Sequence, residues 1–324
     1  METAKAISDL RLQIADCRLI FRAGIWKPRT SPNTFQGAGD EALKWLQEVK
    51  TTYGMPVATE VATPEHVAKA LEVGIDYLWI GARTSANPLA VQAIADGLRG
   101  TGYGLQGIFI KNPVNADAKL WLGNIERLEK TGLPVMAIHR GCGHQPCWRM
   151  AHEVRLARPD IPMLLDPSHM SGDAAQVPVL MEKIEELGLD GAMIEVHCDP
   201  EHALSDNNQQ LTPTQLGNTL DPILSRLCLA SLICSSNDQK ELNWLRAEID
   251  ELDERLWDTI AARMDVSKRI GEWKKEHGVA ALQPERYQAI VERINELTNE
   301  RGLSTDFALR LWDLIHEESL KQQK

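Results

Sequence analysis

Along the first 230 residues, short unbroken apolar runs alternate with stretches whose apolar residues return every three or four positions. The runs end R-L-I-F-R at Arg22, V-A-T-E at Glu60, L-W-I-G-A-R at Arg83 and V-M-A-I-H-R at Arg140. G-I-F-I is followed by Lys111, I-P-M-L-L by Asp166 and His169, and A-M-I-E closes on Glu195. Continuous apolar runs are the mark of parallel strands covered on both faces. Between them the spacing predicts helices near 38–53, 63–73, 87–99, 115–131, 148–158, 173–188 and 213–227. Strand and helix in alternation call for a parallel sheet, and a parallel barrel keeps its chemistry at the strands' C-terminal ends. The expected fold is therefore an α/β (β/α)8 barrel over residues 1–230 that lacks its first strand, because residues 4–16 read as helix with no strand before them.

From 231 to 239 the pattern lapses into a linker, and from 240 to 324 the strand signal is gone. Leu242, Leu245, Ile249, Leu252, Leu256, Ile260, Ile270 and Trp273 fall on one helical face. About 36 residues at 1.5 Å each make a rod of roughly 54 Å. Pro284 opens a second helix running to about Arg301, Gly302 ends it, and Ser304 can cap a third. Three helices this unequal cannot bury the long one, so the expectation is an all-α dimerising domain and a homodimer.

Composition narrows the function. A net charge of −11 argues against nucleic acid as partner, since such a surface must neutralise phosphates. No apolar stretch reaches membrane-spanning length, and Met1-Glu-Thr-Ala-Lys begins no signal peptide. Six cysteines scattered through the chain suit a reducing compartment, so a cytoplasmic location is expected. Cys142-Gly-His144-Gln-Pro-Cys147 invites zinc, but a thiol pair with no second ligand pair is more often unligated.

In an acidic chain the basic residues at strand ends stand out. Lys27-Pro28-Arg29-Thr30-Ser31 puts an ammonium, a guanidinium and two hydroxyls in five residues, a set suited to phosphate oxygens. Arg22, Arg83, Lys111 and Arg140 on neighbouring strand ends would repel one another unless an anion belonged among them. His169, Glu195 and Asp206 supply an imidazole and two carboxylates at the last strand ends, a donor set for a divalent metal.

At this point the chain resembles a known family. F-R-A-G-I-W-K-P-R-T-S-P, I-G-A-R-T-S-A-N, I-K-N-P-V-N, A-I-H-R-G, L-D-P-S-H and I-E-V-H-C-D-P-E-H-A-L-S-D are similar to the type I 3-deoxy-D-arabino-heptulosonate 7-phosphate (DAHP) synthases over about residues 1–230. The resemblance implies condensation of phosphoenolpyruvate with erythrose 4-phosphate, the entry to the shikimate pathway. It implies that Arg22, Arg83, Lys111 and Arg140 hold phosphoenolpyruvate, that Lys27 sits between the substrates, and that Arg29 and Thr30 bind the aldose phosphate. It also implies that His169, Glu195 and Asp206 ligate the metal, manganese first, with iron, cobalt or zinc as alternatives, which polarises the aldehyde. K-P-R-T-S separates this reading from the related octulosonate synthases, whose loop differs.

On the long helix Arg263 and Lys274 are eleven residues apart and share a face, whereas Arg246 lies seventeen residues before Arg263, roughly 25 Å along the axis. One small ligand meets both arginines only if Arg246 comes from an antiparallel partner. L-R-A-E-I-D-E-L-D-E-R-L, A-A-R-M, I-G-E-W-K, Q-P-E-R-Y and E-E-S-L-K-Q-Q resemble the all-helical chorismate mutases over about 240–324. The resemblance implies that Arg263, Arg286 and the partner's Arg246 clamp two carboxylates while Lys274 and Gln323, with Ser319 nearby, serve the ether oxygen. No cofactor is implied there, because the rearrangement of chorismate to prephenate needs none. Gln283 and Tyr287 stand where many members have carboxylates, which touches the contacts to the substrate's hydroxyl.

One departure bears on the barrel. The family's remaining metal ligand is a cysteine in G-P-C-S on the first strand, and Cys17 belongs to a helix end instead. The expectation is a start internal to the natural protein, with that strand and cysteine upstream. Two readings stay open: a bifunctional synthase and mutase, or an active mutase whose barrel, inactive in synthesis, is a regulatory or binding scaffold. Genomic sequence upstream of Met1 is expected to encode G-P-C-S in frame, and its absence there would remove the expectation.

Overall fold

The structure, a computed structural model, describes residues 1–10, 18–29, 31, 33–100, 104–230, 237–279 and 284–323. Its first half runs α1 (Glu2–Asp9), β1 (Phe21–Ala23), α2 (Glu41–Tyr53), β2 (Val57–Val61), α3 (Pro64–Glu72), β3 (Tyr77–Ile80), α4 (Ala82–Ser85), α5 (Pro88–Leu98) and β4 (Gly107–Lys111). Then follow α6 (Ala118–Glu129), β5 (Val135–His139), α7 (Trp148–Ala157), β6 (Met163–Leu165), α8 (Pro167–Ser171), α9 (Val177–Leu187), β7 (Gly191–Ala192) and α10 (Pro213–Ala230). The chain ends with α11 (Asn237–Glu276), α12 (Pro284–Arg301) and α13 (Thr305–Gln322). It divides into two compact units, Met1–Glu248 and Ile249–Lys324.

In the first unit the seven strands form one parallel sheet in sequence order. Among the described residues β7 and β1 do not pair, so the sheet is an open half-barrel. Val57, Leu78, Ile80, Ile108, Ile110, Ala137 and Leu165 face the helices, while Ala58, Tyr77, Trp79, Phe109, Ile138 and Met193 form a second cluster on the concave face. Side chains alternate with period two along a strand. Glu60, Lys111, Arg140 and Glu195 each come two residues after one of that concave set. The alternation that packs the inner face thus carries these charges to the mouth of the half-barrel.

Polar residue followed by proline opens several of the helices. Thr63-Pro64, Asn87-Pro88 and Asp166-Pro167 each cap a helix by accepting from a backbone N–H inside it. The expected strand A-M-I-E shortens to the pair Gly191–Ala192, since β7 has a neighbour on one side only. The helix expected at 4–16 is seen as α1, and residues 11–17, Cys17 among them, lie outside the described residues.

The end of the first unit also differs from expectation. Helix α11 begins at Asn237, inside the stretch read as linker. Its first turns belong to the half-barrel: Trp244 and Ala247 are buried in that core, and Trp244 Nε1 donates to the Leu187 carbonyl at 3.1 Å. His152 stacks on Trp244 with ring centroids 5.4 Å apart and meets Glu248 Oε1 at 2.7 Å. The division therefore falls after Glu248. In the second unit Gly302, at φ +65°, ends α12, and Ser304 Oγ accepts from Phe307 N at 3.4 Å to cap α13, both as expected. Leu252, Leu256, Trp257, Ile270 and Trp273 are exposed along α11.

On the helix side of β5, His139 is wholly buried, with its ring 5.4 Å from Trp148 and 6.3 Å from Trp121. Burial pushes the imidazole down from 6.5 to about 4. Between those values the unfolded chain takes up a proton that the folded chain refuses. Stability is therefore complete above the window and falls as pH drops through it, by up to on the order of 3 kcal/mol. His139→Leu is expected to flatten the pH dependence of the urea midpoint between about pH 7 and pH 4.5; a slope equal to the wild type's would rule this out.

Candidate active sites

A cavity of about 420 Å³ opens at the C-terminal ends of the strands. Its cationic lining comprises Arg22, Lys27, Arg29, Arg83 and Lys111, and Glu60, His169, Glu195 and Asp206 line it as well. Arg140 is not part of the lining. It sits just past β5, its backbone N–H donating to Asn112 Oδ1 at 2.7 Å. Burial lowers its pKa, with Asp166 working against the shift and Arg83 adding to it. Arg83 falls on the short helix α4 and is exposed at the rim. Thr30 lies outside the described residues.

Carboxylates in or behind the cavity wall hold Arg22, Lys27, Arg29 and Lys111. Asp166, with no exposed surface, accepts from Lys111 Nζ at 2.7 Å and from His169 Nδ1 at 3.1 Å. Burial opposes its ionisation, but His169 and Lys111 outweigh that and hold its pKa well below the usual range. With Nδ1 engaged, His169 turns Nε2 toward Glu195, 3.9 Å from Oε1. Glu195 accepts from Gln209 Nε2 at 2.7 Å and lies 3.4 Å from Arg22 Nη2. Burial again opposes ionisation, and His169 and Arg22 prevail. Arg22 lies over the Trp79 ring at 5.6 Å, and its Nη2 is buried without a hydrogen-bond partner. A buried guanidinium donor left unmatched is costly.

The metal set is where the structure departs from expectation. Asp206 does not join His169 and Glu195. Both its oxygens are taken by Arg29, Nη1 to Oδ1 at 3.0 Å and Nη2 to Oδ2 at 2.7 Å, with Lys27 Nζ 3.3 Å from Oδ2. Burial notwithstanding, Arg29 and Lys27 push its pKa far down, and the same hydrogen bond raises that of Arg29. Among the described residues no three His, Cys, Asp or Glu side chains are gathered to hold a metal. As placed, the donors do not fit one. The physical reason is charge: the guanidinium fork is a closer match for the carboxylate than the lone imidazole.

Two further residues, one lining the cavity and one buried behind it, carry weight that the strand-end reading left without a role. Asp166 is one, and its D-P-S-H capping pattern was the available signal. Glu60 is the other. Burial raises its pKa although Lys111, His169, Lys27 and Arg22 pull the other way. It fits because residue 81 is glycine: a Cβ there would stand 2.0 Å from Glu60 Oε1.

In the second unit Arg263, Lys274, Ser319 and Gln323 come together. Arg263 Nη1 donates to Ser319 Oγ and its guanidinium lies 4.8 Å above the Trp312 ring. Lys274 Nζ is 3.4 Å from Gln323 Oε1. Gly271 permits this approach, since a Cβ there would meet Gln323 Cα at 2.6 Å. Arg286 is exposed on the first turn of α12, and Arg246 is exposed on the part of α11 that belongs to the first unit. Gln283 lies outside the described residues.

Comparison with known proteins agrees with both halves. Residues 1–226 match the DAHP synthetase I family and residues 245–324 match chorismate mutase type II. A phospho-2-dehydro-3-deoxyheptonate aldolase of Thermotoga maritima is 31% identical over 222 residues, covering 65% of this chain and 60% of that protein. A crystal structure of the Thermotoga maritima aldolase superposes with a TM-score of 0.59 at 26% identity, over 71% of this chain and 64% of that one. A 4-amino-4-deoxychorismate mutase of Streptomyces venezuelae is 40% identical over 78 residues, 24% of this chain and 76% of that protein. The chain thus spans under two thirds of the Thermotoga protein's length, and no helix among its described residues is long and apolar enough to cross a membrane. With the strand-end cavity and the helical cluster already in place, it belongs to the DAHP synthetase I family and carries a C-terminal chorismate mutase type II domain.

Proposed function

We propose that the chain is a bifunctional enzyme of aromatic biosynthesis. In the first unit phosphoenolpyruvate and erythrose 4-phosphate condense with water to give DAHP and inorganic phosphate. The observation that carries this reading is the single cavity in which five basic side chains meet, one of them with a buried donor unmatched. Arg22, Lys111 and Arg83 suit the phosphate and carboxylate of phosphoenolpyruvate, with Arg140 adding charge from outside the lining, and Lys27 and Arg29 suit the aldose phosphate. Holding the two together makes the enol carbon's attack on the aldehyde effectively unimolecular. Water then adds to the cationic carbon, and phosphate leaves. Glu60, kept toward its neutral form by burial, is the carboxyl in the cavity suited to pass a proton. No step is assigned to a metal, because the donors do not fit one as they stand.

In the second unit chorismate rearranges to prephenate. The reaction is pericyclic, so the site has only to hold a compact conformer and stabilise the ether oxygen as it gains charge. Arg263 suits a carboxylate, and Lys274 with Gln323 suits the ether. The exposed apolar face of α11 suits a second copy of the chain, whose Arg246 would complete the clamp. A second reading has its own support: the Streptomyces relative's name puts an amine where chorismate has a hydroxyl, and Gln283 and Tyr287 replace the carboxylates usual near that group.

Two measurements test these readings. Mixed with manganese, phosphoenolpyruvate and erythrose 4-phosphate, the chain is expected to release phosphate, and Lys111→Met to lose the rate by roughly a hundredfold or more. Binding of both substrates with no release supports the scaffold reading instead. Chorismate loss, followed in the ultraviolet, is expected to fall by roughly a hundredfold in Lys274→Ala; unchanged turnover removes that assignment, and preference for the 4-amino substrate selects the second reading.

A further inference from the structure

We propose that Trp312 is a positioning residue for the mutase site: its ring face holds the Arg263 guanidinium in place without lending it a negative charge, so that a substrate carboxylate meets a cation already fixed. The inference rests on the reading of this cluster as the mutase site. Trp312 itself lies outside every motif by which the helical half resembles its family.

The arrangement follows from helical spacing. On α13 Trp312 and Ser319 are seven residues apart, about two turns, so they share a face. Arg263 of α11 reaches both: Nη1 donates to Ser319 Oγ, and the guanidinium carbon lies 4.8 Å from the centre of the Trp312 ring. The proton of the buried Ser319 hydroxyl goes to the Ile315 carbonyl at 2.7 Å, one turn back, which leaves the oxygen as an acceptor for Arg263. No hydrogen bond fixes the indole in the same way, since Trp312 Nε1 is buried without a partner among the described residues. The ring packs instead against His316, one turn on, with centroids 6.1 Å apart and planes 23° from parallel.

A ring suits this task better than a carboxylate would. Burial lowers the pKa of Arg263. A cation that has lost part of its hydration is stabilised by a counter-ion or by the negative face of an aromatic ring. A carboxylate neighbour would claim two of the guanidinium's N–H groups in a fork, as Asp206 does on Arg29. An aromatic face stabilises the charge without an oxygen acceptor occupying those groups. The substrate's carboxylates stay ionised throughout the rearrangement, so a cation that grips one contributes equally to the ground and transition states. Loss of that grip is therefore read in KM more than in kcat.

Chorismate turnover by the full-length chain reads the effect. Trp312→Leu is expected to raise KM about tenfold while kcat changes by less than about threefold, and Trp312→Phe, which keeps a ring face, to stay within about threefold of the wild type in both. Successive ring fluorines on a tryptophan at position 312 keep its shape and drain its face, so KM is expected to climb with each one. That series leaves the packing in place and decides even if Trp312→Leu does not fold. In an Arg263→Ala background Trp312→Leu is expected to add nothing to the loss of prephenate affinity measured by calorimetry, because the arginine it positions is gone. KM unmoved along the fluorine series, or a Trp312→Leu penalty that persists in Arg263→Ala, overturns the proposal and leaves the mutase reading standing. A wild-type chain that neither turns over chorismate nor binds prephenate overturns the mutase reading and the proposal with it.

Discussion

Like charges crowded into one partly dry cavity repel, and the mouth of the half-barrel is organised around offsetting that repulsion. Five basic side chains line a space of about 420 Å³. Each that is well buried has an acidic neighbour: Lys111 has Asp166, Arg22 has Glu195, and Lys27 and Arg29 share Asp206. A charge in such surroundings must be paired or matched by hydrogen bonds. Asp166 shows how economical the matching is. One buried carboxylate fixes Lys111, selects the ring nitrogen that His169 presents, and caps the helix that carries that histidine.

The pairing is incomplete in a directed way. Arg22 Nη2, though 3.4 Å from Glu195, is buried without a hydrogen bond, and burial raises the pKa of Glu60. A site built for its own stability would have matched the first with the second. One cationic donor without a hydrogen bond and one carboxyl whose pKa burial raises both favour an anion entering the cavity. Preorganised charge of this kind costs stability in the empty protein and returns it when ligand binds.

Much of this was legible along the chain because strand alternation is strict. Once Phe109 is placed on the concave face, Lys111 two residues later can only follow it, and the same holds from Ala58 to Glu60 and from Ile138 to Arg140. The open edge was legible too, since seven runs cannot close an eight-stranded ring. What escaped were long-range choices among equals. Asp206 could have joined either the histidine or the arginine, and only the fold's distances decide between them. Trp244 reads as one more apolar position on a long helix. Its docking against His152 and the Leu187 carbonyl depends on α7 and α9, far away in sequence.

The two units match their basic side chains in different ways. In the half-barrel Lys111, Arg22, Lys27 and Arg29 each have a carboxylate at hand. In the helical unit Arg263 meets a hydroxyl and an aromatic face, and Lys274 meets an amide oxygen. Burial lowers the pKa of that guanidinium with no carboxylate to support it. That matching suits the proposed rearrangement, which passes no protons. The proposed condensation would bring two phosphorylated molecules into one space, where internal carboxylates offset the repulsion among the cations.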